Sequence, residues 1–128
     1  MSARTILIVD DDPDIRRIAA LFLERIGGFR VLLAATADEG LAHAAQAPPD
    51  LCLLDVSMPG TDGPALLAAL RSQASTRHIP VVFLTAGPSA AETARLCALG
   101  AIGVIAKPFE PLALPARIRD MLTRAGLD

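Results

Sequence analysis

The sequence predicts an α/β domain: a five-stranded parallel sheet with helices on both faces. Short apolar runs alternate with stretches of helical periodicity along the chain, which makes five strand–helix units. The runs are near-continuous rather than alternating, as expected of strands covered on both sides. No linker, low-complexity tract or internal repeat interrupts the pattern, and 128 residues suit one domain, 1–128.

Ile6 to Val9 is the first strand, a β-branched run stopped by acid and proline. Ile15, Ile18, Ala19, Phe22 and Ile26 then recur at helical spacing, and Gly27-Gly28 ends that helix. Asp12, before Pro13, reads as its N-cap, and Asp14 as a first-turn acid suited to the helix dipole. Val31 to Leu33 is the second strand. Thr36-Ala-Asp-Glu39 has the form of a capping box and opens a helix running to about Gln46, ahead of Pro48-Pro49. Leu51 to Leu54 is the third strand. Asp62 reads as a cap or turn residue for a third helix that starts at Pro64 and turns Leu66, Leu67 and Leu70 inward. Val81 to Leu84 is the fourth strand. Ser89-Ala-Ala-Glu92 is a second capping box, for a helix ending near Gly100. Val104 to Ala106 makes a short fifth strand, and a last helix spans roughly Leu114 to Arg124. Proline inside a helix removes a hydrogen bond and clashes one turn back. The regular helix is therefore expected to begin near Pro115, after an irregular turn from Pro111.

Composition excludes several classes. Apolar residues make up 52% and charged residues 20%, with a mean hydropathy of +0.46, so the chain is not disordered. No apolar run approaches the length that spans a bilayer, and MSARTILIVDDD lacks the form of a secretory signal. The expected location is cytoplasmic, with no membrane partner. The net charge is −2, no basic cluster is present, and Trp and Tyr are absent, so neither a nucleic-acid footprint nor a base-stacking platform is expected. Cys52 and Cys97 lie in apolar or helical patterns and read as buried free thiols, with no metal-ligand spacing and no disulfide framework. His43 and His78 are isolated and read as surface residues.

Ligands of open α/β sheets bind beyond the carboxyl ends of the strands. There the chain places Asp10, Asp11 and Asp12 after the first strand, Asp55 after the third, Thr85 after the fourth and Lys107-Pro108 after the fifth. A carboxylate ending a buried run is costly unless something pairs with it. Adjacent carboxylates repel, and a cation relieves them. A site of carboxylates, a backbone carbonyl and waters suits Mg²⁺. Asp55 is then a candidate nucleophile toward phosphorus, because Asp carboxylates form acyl phosphates. Lys107 would offset charge on the transferring oxygens, and Thr85 would donate a hydrogen bond to them.

On these residues the chain resembles a receiver domain of two-component response regulators, over essentially its whole length. ILIVDDDPDIRR, DLCLLDVSMPGTDG, VVFLTA and GVIAKPF match the family's four motif blocks, in order and at suitable spacing. The resemblance implies a flavodoxin-like doubly wound sheet of strand order 2-1-3-4-5. It implies Asp55 as phosphoacceptor, Asp11 as direct metal ligand, Asp10 as support for the metal, and the Ser57 backbone carbonyl as a further ligand. Thr85 is implied as the switch hydroxyl and Lys107 as the phosphoryl contact. Mg²⁺ (or Mn²⁺) is the implied cofactor, and a cis Lys107-Pro108 bond is a further expectation.

The implied function is signal relay, not turnover of a free substrate. A histidine kinase or histidine phosphotransfer protein donates a phosphoryl group to Asp55. The added charge shifts a conformational equilibrium that a downstream protein target reads. The domain assists its own phosphorylation and dephosphorylation and touches no nucleic acid directly. The start-like Met1-Ser2 favours a stand-alone receiver; a receiver excised from a hybrid histidine kinase or a larger response regulator is the alternative.

The chain departs from the family's pattern in three places. Val104 stands where many receivers carry Tyr or Phe, so the usual coupling between Thr85 and an aromatic ring is in question. The signal is then expected to pass through Phe109, the loop after Thr85, or the fourth helix. Ala86 leaves room for a phosphoryl group, and Gly87-Pro88 offers no side chain to guide an attacking water. Ala101-Ile102-Gly103-Val104 lacks the acidic pair with which one large subfamily builds a symmetric dimer, so such a dimer is not expected.

Two other Asp- or sheet-edge chemistries fit less well. A phosphatase of the haloacid dehalogenase type wants a second Asp two residues after the nucleophile, where this chain has Ser57. A flavin-binding flavodoxin needs a hydroxyl- and glycine-rich phosphate loop after the first strand, where this chain has three acids that would repel phosphate.

Overall fold

The computed structural model describes residues 3–127. Met1 and Ser2, on which the stand-alone reading leans, lie outside the described residues. Strands and helices alternate: β1 (Thr5–Val9), α1 (Pro13–Arg25), β2 (Arg30–Ala34), α2 (Ala37–Gln46), β3 (Leu51–Asp55), α3 (Gly63–Arg71), β4 (Val81–Thr85), α4 (Ala90–Ala98), β5 (Gly103–Ala106) and α5 (Leu114–Arg124). The strands form one parallel sheet in the order β2-β1-β3-β4-β5, the flavodoxin-like arrangement. Every expected element is present, with ends displaced by one or two residues. A 3₁₀ turn over Pro111–Ala113 precedes α5, and Pro115 occupies its first turn, where its missing N–H costs nothing.

Side chains alternate across the sheet, so each strand serves two cores. Ile6, Ile8, Leu53, Val82, Leu84 and Ile105 face α1 and α5. Leu7, Val9, Leu54, Val81 and Phe83 face α2, α3 and α4. β3 and β4 are buried along their whole length, whereas β2 is an edge strand and half-exposed. The near-continuous apolar pattern therefore holds for the centre of the sheet.

Side-chain caps start four of the helices. Asp12 accepts from the Asp14 N–H at 2.9 Å, Thr36 from Glu39 at 3.1 Å, Asp62 from Ala65 at 2.9 Å and Ser89 from Glu92 at 3.0 Å. Each satisfies an N–H that the helix itself leaves open. Leu66, Leu67 and Leu70 of α3 are buried as expected.

Two expectations need correction. Ile26 is 58% exposed, and α1 instead buries Ala19, Ala20 and Leu23. The helix stops at Arg25, Ile26 caps it, and the chain reverses over Gly27-Gly28 to send Phe29 into the core. Cys97 is exposed. α4 contributes only Leu96 to the core, so the next residue around the turn faces outward. Cys52 is buried as expected, and burial pushes its thiol up to about 12 against a small opposing effect of Arg71. His78 is exposed, and the half-exposed His43 lies 3.8 Å from Glu39. Among the described residues, no helix is long and apolar enough to cross a membrane.

Candidate functional site

The carboxyl ends of β1, β3, β4 and β5 meet at one edge of the sheet, and the polar residues that follow each run meet there too. Asp10 leaves β1 fully buried. Its N–H donates to Ala34 at 3.2 Å, its carbonyl accepts from Arg16 at 2.8 Å, and its Oδ1 accepts from the Asp12 N–H at 2.9 Å. Its Oδ2 lies 2.8 Å from the Lys107 ammonium, a buried ion pair.

Asp55 ends β3 opposite Leu84 and is 5% exposed. Its Oδ1 lies 3.2 Å from Lys107 Nζ and accepts a long bond of 3.4 Å from the Ser57 N–H. Gly63 makes room for this strand end. A Cβ on Gly63 would stand 2.4 Å from the Asp55 carbonyl oxygen, and the Gly63 N–H donates to Val56 at 3.0 Å. The turn before it uses Gly60 at φ +77°, a left-handed conformation that glycine adopts without strain.

Lys107 reaches in from the end of β5. Its backbone N–H donates to the Thr85 carbonyl at 2.8 Å, and the Lys107-Pro108 bond is cis as expected. The ammonium ties the ends of β1 and β3 together. Burial alone would lower its pKa, but the contacts with Asp10 and Asp55 outweigh burial and hold it above the ordinary lysine value. Asp55 moves up to about 6, chiefly from burial and next from the Asp10 charge, with Lys107 and the Ser57 N–H pulling the other way. At pH 7.5 most molecules therefore still carry an ionised Asp55.

Asp11 completes the cluster from an exposed position. Asp10, Asp11 and Asp55 each offer a carboxylate oxygen, and these oxygens lie within 4.8 Å of one another. One ammonium faces this set. Three carboxylates gathered around one ammonium, in an all-oxygen donor set, fit a hard divalent cation.

Thr85 ends β4 and is buried, and its hydroxyl donates to Glu92 of α4 at 3.2 Å. The sequence reading took Glu92 only as the partner of a capping box. It missed Arg16 as well, whose guanidinium braces the backbone of Asp10. Neither shows a signal in the sequence beyond helical spacing from the strand end. Asp12, Asp14 and Asp62 serve their helix starts, and the Ser57 side chain is exposed. Val104 packs half-buried against the α2–α4 core, and Phe109 against the α1–α5 core.

The sequence model of the response regulator receiver domain matches residues 6–119. The chain belongs to the response regulator receiver family. Response regulator Rre1 of Synechocystis is 38% identical over 120 residues, which is 94% of this chain and 52% of that protein. Among solved structures, the receiver resembles chemotaxis protein CheY4 of Vibrio cholerae, with a TM-score of 0.87 and 32% identity over 94% of this chain and 100% of that one. It also resembles the signal receiver domain of a signal transduction histidine kinase from Syntrophus aciditrophicus, with a TM-score of 0.81 and 31% identity over 95% and 92% of the two chains. The receiver spans about half the length of the curated relatives it matches. It is a receiver of the two-component kind, with a signalling fold and an acidic cluster at the strand ends.

Proposed function

We propose that Asp55 accepts a phosphoryl group from a phosphohistidine of a histidine kinase or histidine phosphotransfer protein. The observation that carries this is the meeting of Asp10, Asp11, Asp55 and Lys107 at one sheet edge, with Lys107 Nζ 3.2 Å from Asp55 Oδ1. An ionised Asp55 oxygen attacks phosphorus. The O–P bond forms, the P–N bond breaks, and the electron pair leaves with the imidazole nitrogen. Lys107 is already held by two carboxylates and is positioned to follow the charge onto the phosphoryl oxygens. The Ser57 N–H, 3.4 Å from Asp55 Oδ1, helps to orient the carboxylate.

Asp10, Asp11, Asp55 and the Ser57 carbonyl would hold Mg²⁺ or Mn²⁺. Bound there, the cation offsets the negative charge of the donor and the acceptor. Thr85 supplies a hydroxyl to the transferred group. The product is an acyl phosphate that changes which protein target the receiver binds, so the chain acts as a signalling domain in the cytoplasm rather than as an enzyme for a free substrate. Its likeness both to a chemotaxis protein, over 100% of that chain, and to a kinase's receiver domain supports two settings, one alone and one inside a larger regulator or hybrid kinase.

The test is intact-mass analysis after incubation with a small acyl-phosphate donor, and separately with a phosphorylated histidine phosphotransfer protein. Parent and Asp55→Asn are compared with Mg²⁺ and with EDTA. A gain of one phosphoryl group that needs both Mg²⁺ and Asp55 is expected. No gain from either donor, or a gain that survives Asp55→Asn, overturns the assignment.

A further inference from the structure

A hydroxyl has one hydrogen to donate. Thr85 gives its hydrogen to Glu92, at 3.2 Å, from a buried position at the end of β4. For Thr85 to donate to a phosphoryl group on Asp55, the bond to Glu92 must break. Glu92 sits in the first turn of α4, where Ser89 holds its backbone N–H, so its carboxylate is delivered to Thr85 by a capped and regular helix start. The other end of α4 is lightly held, with Leu96 as its buried anchor. β5 offers Val104, an aliphatic side chain, on the neighbouring strand.

We infer that Glu92 is a positioning residue: it holds the Thr85 hydroxyl for α4 in the resting receiver and yields it when a phosphoryl group competes. The inference rests on the proposed phosphoryl transfer and names the element through which that site is read. The exchange of one hydrogen bond has two consequences. It lowers the stability of the phosphorylated state by the strength of the bond given up. It also frees the first turn of α4 at the moment the acceptor is loaded, which moves the signal to a helix rather than to an aromatic ring.

The test has a chemical and a resting-state arm. In the first, initial phosphorylation rates from a small acyl-phosphate donor with Mg²⁺ are measured for the parent, Glu92→Ala, Glu92→Gln, Thr85→Ala and Thr85→Ala/Glu92→Ala. Glu92→Ala is expected to raise the rate roughly 3- to 10-fold, the range set by the net worth of one ordinary hydrogen bond. Glu92→Gln, which keeps an acceptor oxygen, falls between it and the parent. In the Thr85→Ala background, Glu92→Ala changes the rate by less than about 2-fold, because no hydroxyl remains to release. Equal effects of Glu92→Ala with and without the Thr85 hydroxyl overturn the inference, since Glu92 then acts by charge or through the helix alone. An unchanged rate in Glu92→Ala overturns it too.

In the second arm, the χ1 rotamer of Thr85 is read by methyl-group NMR couplings in the unphosphorylated protein. One rotamer is expected in the parent and an average in Glu92→Ala. If no variant accepts phosphate, the proposed function falls, and this arm still decides whether Glu92 positions Thr85. An identical single rotamer in both proteins would reject that role. Thermal melts of each variant separate these effects from loss of folding.

Discussion

The two halves of the site are built differently. The β1–β3 half places Asp10 and Asp55 deep in the strand ends, fixes Asp10 through three backbone-directed hydrogen bonds, and closes on Lys107. In the β4–α4 half the backbone is equally buried, but the Thr85 side chain is held by one hydroxyl–carboxylate bond to a helix that buries a single residue. Chemistry that must be exact in position sits on the rigid half. The group proposed to change partner, the Thr85 hydroxyl, sits on the half whose side-chain contacts are few.

The largest effect that sharpens this contrast is chemical. Asp55→Asn should lower phosphorylation by more than about 100-fold, whereas Thr85→Ala should lower it by about 10-fold or less, the net worth of one ordinary hydrogen bond. Intact-mass time courses measure both. Comparable losses would mean that the two halves act as one unit.

Stability gives the next contrast. Lys107→Met leaves the buried Asp10 carboxylate without its ion pair and should cost about 3–5 kcal/mol in EDTA by urea unfolding. Thr85→Val leaves a partly exposed Glu92 that water still reaches, and should cost under about 1 kcal/mol. Mg²⁺ should recover most of the first loss and none of the second.

Without metal, Asp55 also sets a pH dependence. Its folded-state pKa is raised from 3.8 to about 6, so folding favours the protonated form. The stability this confers is complete below the unfolded value and is lost as pH rises through about 6. In EDTA the parent should therefore lose stability between pH 4 and pH 6.5 relative to Asp55→Asn, by about 2 kcal/mol. Parallel pH profiles of the two proteins would remove the electrostatic account of the acidic half.

The smallest effect is on side-chain access. Cys97 on α4 should react with a thiol reagent at pH 8 in the native state. Cys52 on β3, buried and pushed up to about 12, should react only on unfolding. Fast labelling of Cys52 would show that β3 opens as readily as α4.

Much of the rigid half was legible in the sequence. Strand ends of a parallel α/β sheet converge, so Asp10, Asp55, Thr85 and Lys107 were brought together by topology once the apolar runs were recognised. The caps were legible because they act over two or three residues. What escaped depended on the direction in which a helix presents a side chain. Glu92 serves Thr85 and Arg16 serves Asp10 because of where their helices sit, and capping patterns do not encode that. Cys97 was misread because helical periodicity marks an apolar face without saying how wide the buried stripe is. Ile26 was misread because the chain turned at Gly27-Gly28 before the next helical repeat came round.

Leu96, as the buried anchor of α4, has a consequence for how this receiver diverges. Substitutions at exposed positions away from caps and cores mostly change stability by no more than about 0.5 kcal/mol. The outer positions of α4 beyond Glu92 can therefore take new side chains at little cost to folding, while the acidic edge cannot. A lineage descended from this chain is free to rewrite the outer face of one helix while keeping its acidic edge unchanged.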